Sequence, residues 1–133
     1  MKNAILIILL FAVSKFAVAQ QILSLETQEP NGEYENIHVS NLDHDPLTST
    51  FLIWVKHGVK EHYHEAHTEV VCVLQGEGWM TLGEERQKIK SGDYVFIPKG
   101  TRHSVEVIGD IPMKVISIQT PHFDGLDRVF VDQ

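Results

Sequence analysis

Apolar residues along this chain fall in short runs that Gly, Pro and Asp break apart. The clearest run, residues 48–56, reads TSTFLIWVK. Successive side chains of a strand point to opposite faces, so Phe51, Ile53 and Val55 share one face and Leu52, Trp54 and Lys56 the other. Both faces are largely apolar, which predicts burial on two sides, in a sandwich wall or at a subunit contact, and makes a homodimer the expected state. Residues 79–82, 86–90, 94–97, 102–108 and 113–119 carry the same kind of pattern between turns at Gly83, Gly92-Asp93, 98–100 and 109–112. A hairpin is expected at 75–78, and edge strands at 22–25, 35–39 and 128–131. Pro30-Asn31-Gly32 and Asp43-His44-Asp45-Pro46 read as turns, with His44 solvated in the second. No stretch beyond residue 20 keeps apolar residues at helical spacing over three turns. An all-β sandwich or barrel is therefore predicted, built as one domain from a chain of 133 residues.

The N-terminus departs from this pattern. Lys2 precedes a continuous apolar run at 4–13, and Ala17-Val18-Ala19 stands before Gln20. The run is too short for a membrane span, which needs ~20 apolar residues, and suits a secretory signal peptide over 1–19. The expected product is exported, periplasmic or secreted, with no stable membrane insertion after cleavage. The remaining chain divides into an arm at 20–47, a barrel at 48–120 and a C-terminal loop and edge strand at 121–133. A formal net charge of −7, more acidic once Lys2 and Lys15 are removed, argues against nucleic acid and anionic membrane surfaces as partners. Cys72 is the single cysteine, so no internal disulfide is available. Its parity is opposite to that of Glu69, Val71 and Val73, and a buried thiol facing away from Glu69 is expected.

Candidate chemistry is concentrated in two stretches. His62 and His64 stand two apart, which in a strand puts both imidazoles on one face, roughly 6.5–7 Å apart. A turn-like stretch at 65–68 leads to Glu69, which a hairpin would return toward the histidines. Further on, the strand at 94–97 ends in Pro98-Lys99-Gly100, and His103 opens the next strand. Three neutral imidazoles and one carboxylate suit a divalent transition metal. His67 has the parity of Glu69 and would replace His64 as ligand if the register shifted; otherwise it sits on the rim or surface. His57 follows Val55 by two and is a candidate general base, a partner of a metal ligand, or a core histidine bonded to backbone. Tyr63 alternates with the ligands and should face away. Gln119 is a further polar candidate near the strand ends.

Gly58, His62, His64, Glu69 and Gly76 resemble the first motif of the cupins, and Gly92, Pro98, Gly100 and His103 resemble the second. Fifteen residues separate Gly76 from Gly92, as in compact single-domain bacterial members. Gly58 lies closer to the first histidine than is usual, and Val107 stands where the second motif often has asparagine. The resemblance implies a double-stranded β-helix, or jelly-roll barrel. It also implies a metal held by His62, His64, Glu69 and His103, with two of six coordination positions left for ligands. Fe, Mn, Ni or Co suits that geometry, whereas Zn prefers four ligands. Val71, Val73, Val105 and Val107 would keep the interior dry. The family resemblance further implies a metal-dependent enzyme acting on a small molecule, with dioxygenases foremost and isomerases, decarboxylases, cyclases and lyases also represented. A non-catalytic module that binds a sugar or other small ligand is the alternative.

Overall fold

A computed structural model gives the structure of the protein and describes residues 21–131; the signal peptide expected at 1–19 lies outside the described residues. The described chain forms ten strands: β1 (Ile37–Asp45), β2 (Thr48–Val55), β3 (Gly58–Tyr63), β4 (Thr68–Gln75), β5 (Glu77–Leu82), β6 (Glu85–Lys90), β7 (Tyr94–Ile97), β8 (His103–Val107), β9 (Met113–Thr120) and β10 (Val129–Phe130). They build two five-stranded antiparallel sheets, in the orders β1-β2-β9-β4-β7 and β10-β3-β8-β5-β6. This is the jelly-roll double-stranded β-helix. Odd-numbered residues of β2, β4 and β9 are in register and point inward: Ile53 pairs with Val115, and Val73 with the same Val115 from the other side. Val55, Val73, Ile97, Met113 and Val115 meet Met80 and Ile89 from the facing sheet to form the core. Each such side chain, fully buried, contributes about 1.5–3 kcal/mol.

The connections differ from the hairpins expected around the motifs. β3 hydrogen-bonds to β8 and β10, and β4 to β7 and β9, so the turn between β3 and β4 is an arch from one sheet to the other. The same holds at 75–78. Both edges of β4 are occupied, so β5 has to cross to the opposite sheet. Gly76 makes this crossing at φ +78°, and a Cβ there would lie 2.9 Å from Met113 Cα and Pro112 O. True hairpins occur where β1 meets β2 and β5 meets β6.

The N-terminal region also differs. Residues 22–25 form no strand, whereas β1 continues through Asp43-His44-Asp45, with a bulge between Asn41 and Asp43, and turns only at Pro46-Leu47. Cross-strand pairing with β2 overrides the turn chemistry of that segment. The outer face of β2 holds Leu52 and Trp54, 0% and 5% exposed. The chain's own arm runs over this face. Lys114 Nζ lies 5.5 Å from the centre of the Trp54 ring and donates to Gln28 O at 2.6 Å; Lys56 Nζ donates to Tyr34 O at 2.6 Å. The two-sided burial of β2 is thus satisfied on its outer side by residues 26–38 of the same chain. Cys72 is half-buried rather than fully buried, on the face away from the cavity.

Candidate metal centre

His62 and His103 are cross-strand partners on β3 and β8, with ring centroids 4.2 Å apart. His64 is the first residue beyond β3, where the chain begins its arch. Glu69 follows on β4, in the opposite sheet. Those four side chains are buried, and one ligand atom from each lies within 4.8 Å of the others. The site therefore bridges the two sheets at one end of the barrel.

Hydrogen bonding on the far side of each ring decides which nitrogen faces the centre. His62 Nδ1 donates to Lys60 O at 2.8 Å, His103 Nδ1 to Thr101 O at 2.9 Å, and His64 Nδ1 to Asp127 O. A neutral imidazole carries one N–H, so a proton held at Nδ1 leaves the Nε2 lone pair available. Glu69 Oε2 lies 3.3 Å from Nε2 of both His64 and His103, while Oε1 accepts from Ser117. His103 Nε2 is buried without a hydrogen-bond partner among the described residues. Leaving such an atom unsatisfied costs about 1–3 kcal/mol, which a cation accepting its lone pair would relieve. The N₃O donor set therefore fits a divalent transition metal ion, and its chemistry admits Fe, Mn, Ni, Co or Zn.

Electrostatics point the same way. Burial, followed by the neighbouring His103, pushes His62 down to about 4, so its ring is neutral at ordinary pH. Burial alone would raise Glu69, but the His103 and His64 imidazoles 3.3 Å away and the hydrogen bond from Ser117 prevail and hold the carboxylate well below its usual range. Burial also acts to lower His64, yet the Glu69 and Asp127 hydrogen bonds outweigh it and raise its pKa. A hydrogen bond from Nε2 to Glu69 requires a proton that the metal must displace, so metal binding should release protons. In metal-free protein the unfolded chain takes up a proton near pH 6.5 that folded His62 refuses until about 4. Stability should therefore fall as pH drops through that window, with the Glu69 contribution lost below it. The raised His64 contributes fully below 6.5 and loses its contribution only as pH rises through its folded value, so it does not cancel the fall. Melting temperatures of chelator-treated protein check this; a flat profile from pH 6.5 to 4 would mean that folded His62 charges freely.

The C-terminal segment completes the site, and sequence reasoning missed its role. Asp127 accepts from Glu65 N at 2.8 Å, Ala66 N at 2.9 Å and His67 Nδ1, while its own carbonyl orients His64. Burial works to raise Asp127, but the His67 hydrogen bond and two backbone N–H groups hold it near about 2. His67 is buried rather than on the rim, and it is not in the cluster: its Nε2 bonds His122 O at 2.9 Å, so both ring nitrogens are engaged by the tail. Phe123 packs edge-on against both His64 and His67, at centroid distances of 5.5 and 5.1 Å. Asp127→Ala removes the anchor of this segment and should lower metal affinity by about 10–100-fold, the usual cost of losing an outer partner of a ligand. Asp124→Ala, which frees only Leu126 N, should leave affinity unchanged. Chelator competition compares the two; equal affinities in both variants would remove Asp127 from the account.

The other candidates are dispersed. His57 is exposed in the turn between β2 and β3, its backbone N bonded to Asn36 Oδ1 at 2.9 Å. It lies five residues from His62 along β3, roughly 16 Å in an extended strand, and has no access to the centre. His44 sits against His122 at a centroid distance of 5.2 Å, outside the cluster. Tyr63 is half-buried and does not line the cavity. Gln119 lies directly across from Glu69, 2% exposed, with Nε2 3.5 Å from His64 Nε2 and Oε1 unpartnered among the described residues. Below the cluster is a cavity of about 90 Å³, walled by Val55, Val71, Ile97, Val105 and Met113, with Arg128 also lining it. Val107 packs against the core behind that wall.

Known proteins resemble this chain at several depths. The cupin domain model matches residues 50–119. An uncharacterized protein of Aquifex aeolicus is 36% identical over 105 residues, covering 79% of this chain and 86% of that protein. The chain belongs to the cupin family. The mannose-1-phosphate guanylyltransferase RfbM of Salmonella typhimurium is 35% identical over 68 residues, which span 51% of this chain and 14% of that enzyme. KdgF from a Halomonas species superposes with a TM-score of 0.69 over 80% of this chain and 97% of that chain; at 19% identity the likeness is one of fold.

Proposed function

We propose that this cupin is an exported metal-dependent enzyme acting on a small molecule, with dioxygenase chemistry as the leading reaction class. One observation carries the proposal: three histidines, each with Nδ1 bonded to a backbone carbonyl, turn their Nε2 atoms toward one carboxylate at the end of an apolar cavity. A bound divalent ion would supply Lewis acidity toward an oxygen atom of the ligand and, if redox-active, electrons for dioxygen chemistry. The chain's part is to orient the donors, keep water from the apolar wall and hold the substrate beside the open positions. Isomerase and lyase reactions ask for a protein acid or base at the reacting carbon. Among the described residues lining the cavity, Ser117 is engaged with Glu69, and His57 and His67 are absent, which favours a reaction without a protein proton relay. The same absence supports a second reading, non-catalytic binding of a small ligand or sugar; the likeness to part of a mannose-1-phosphate guanylyltransferase is in keeping with it.

The test begins with protein recovered from its native compartment, whose intact mass should start at Gln20 or within a residue or two. Full-length chain from Met1 in the cytoplasm would overturn export. Reloading with Fe, Mn, Ni, Co or Zn should give close to one ion per chain, and oxygen uptake is then followed with catechol, flavonol and thiol substrates. Metal content near zero after every reloading would sink the metal-dependent reading. Ligand-induced thermal shifts without turnover would decide for the binding module.

A further inference from the structure

The Arg128 side chain has no hydrogen-bond or ion-pair partner among the described residues. It lies two residues past the loop of Phe123, immediately before β10, and is exposed. Among the described residues it makes no ion pair, although the chain is acidic overall. Its side chain lines the cavity below the metal cluster and also an adjoining cavity of about 290 Å³ beneath the C-terminal segment. Val39, Ile53 and Ser117 line both as well, so the two form one passage with Arg128 at the junction. Glu69 and Asp124 are the other charged residues along the passage. Glu69 is committed to the cluster, and Asp124 Oδ1 accepts Leu126 N at 2.9 Å within its own loop.

Gln119 lines the second cavity and is buried with Oε1 unpartnered. Its amide N–H group rests 3.5 Å from His64 Nε2, the nitrogen that faces Glu69 and that a metal would take. That nitrogen faces Glu69 in the stripped site and would be held by the ion in the loaded one, so the buried amide keeps donors to give in both. Two groups with N–H donors and no protein acceptor thus flank the approach to the metal, in a passage otherwise mostly apolar.

We propose that Arg128 and Gln119 form a carboxylate-binding subsite, and that the natural ligand is a small monocarboxylate with an apolar body. The inference rests on the metal-dependent reading for the positive centre ahead of the ligand, and on Arg128 and Gln119 for the subsite itself. A guanidinium presents a planar fork of donors that matches a carboxylate. A divalent ion with one Glu69 carboxylate and three neutral imidazoles leaves a net positive centre, so a ligand carrying one negative charge is complementary to both ends of the passage. A phosphate monoester, with nearly two charges and three oxygens to solvate, fits poorly against Val39 and Ile53.

Calorimetric titration of propionate, propionamide and methyl phosphate tests this, using wild type, Arg128→Gln, Arg128→Lys and Gln119→Leu. Each is measured both loaded with Co(II) and stripped of metal. Propionate should bind loaded wild type at least about tenfold more tightly than propionamide, about 1.4 kcal/mol, and more tightly than methyl phosphate. Arg128→Gln should lose about that factor with unchanged Co(II) content, and Arg128→Lys should recover part of it. Gln119→Leu should weaken propionate in loaded and stripped protein alike. Co(II) content itself reports on the metal reading: a chain that takes up no Co(II) fails there, while the stripped-protein titrations still test Arg128. Equal affinity for propionate and propionamide, tighter binding of methyl phosphate, or full propionate affinity in Arg128→Gln would overturn the subsite.

Discussion

Alanine at His62, His64 or His103 is expected to lower metal affinity by orders of magnitude. Binding of a structural divalent ion to four protein ligands amounts to about 10–16 kcal/mol, so an even share per ligand is about 3 kcal/mol, or roughly a hundredfold. The true loss should be larger, because the remaining donors come from two different sheets and lose a member that fixes their spacing. Metal binding to the folded state alone stabilises it by linkage, so wild type should melt higher when loaded than when stripped, and that gap should collapse in each variant. Glu69→Gln should weaken binding too, since a neutral amide lacks the charge that offsets the cation. His67→Ala should weaken it less than any of these, acting only through the Asp127 anchor, and His44→Ala not at all. Metal content after dialysis against a buffered ion reads all six. An emptied site in His67→Ala with a filled one in His64→Ala would require the ligand set to be rewritten.

Gly76→Ala is expected to cost about 2–5 kcal/mol. A non-glycine residue in the left-handed region loses about 1–2 kcal/mol, and Gly76 sits at φ +78°. The added methyl would then meet Met113 Cα and Pro112 O at 2.9 Å, both of them backbone atoms that no rotamer change can move aside. Overpacking of this kind adds about 1–3 kcal/mol. Gly83 separates the two contributions: its φ is +60°, but nothing lies within 4 Å of an added Cβ. Gly83→Ala should lose only the conformational part. With roughly 4–8 °C per kcal/mol for a domain of 60–100 residues, and somewhat less here, the two melting temperatures should be clearly separated. Equal losses would mean that the arch at Gly76 relaxes freely.

The strands around the site were legible because alternation is written locally. Phe51, Ile53 and Val55 lie on the cavity side of β2, and Leu52 and Trp54 on the other, as their spacing requires. The four clustered donors were legible because their turn residues and spacing form a motif. What a turn signal does not carry is which sheet receives the next strand. Gly76 marks a reversal equally well in a hairpin and in an arch, and only the pairing of β4 with both β7 and β9 separates the two. The Asp43-His44-Asp45 segment likewise carries turn chemistry that ladder pairing with β2 overrides. Partnerships across the long sequence gap were illegible for a different reason. Asp127 reaches His67 and the His64 ring from some sixty residues away, and no local pattern connects them. The one available hint was the expected edge strand at 128–131, realised as β10 beside His62 and Tyr63, which had to bring its preceding residues to the mouth of the barrel. His57 shows the converse: correct parity with Val55 did not survive the turn that begins at residue 56.

Because His64 is aimed by a carbonyl that belongs to Asp127, the centre has an order of assembly imposed by synthesis. A nascent chain holds His62, His64 and Glu69 long before it holds His103, and the carbonyl that fixes the His64 tautomer is polymerised later still. Until then His64 is free to present either nitrogen, and an ion captured early would meet an incomplete set of donors. An ion held with the final geometry therefore has to wait until Asp127 has been made.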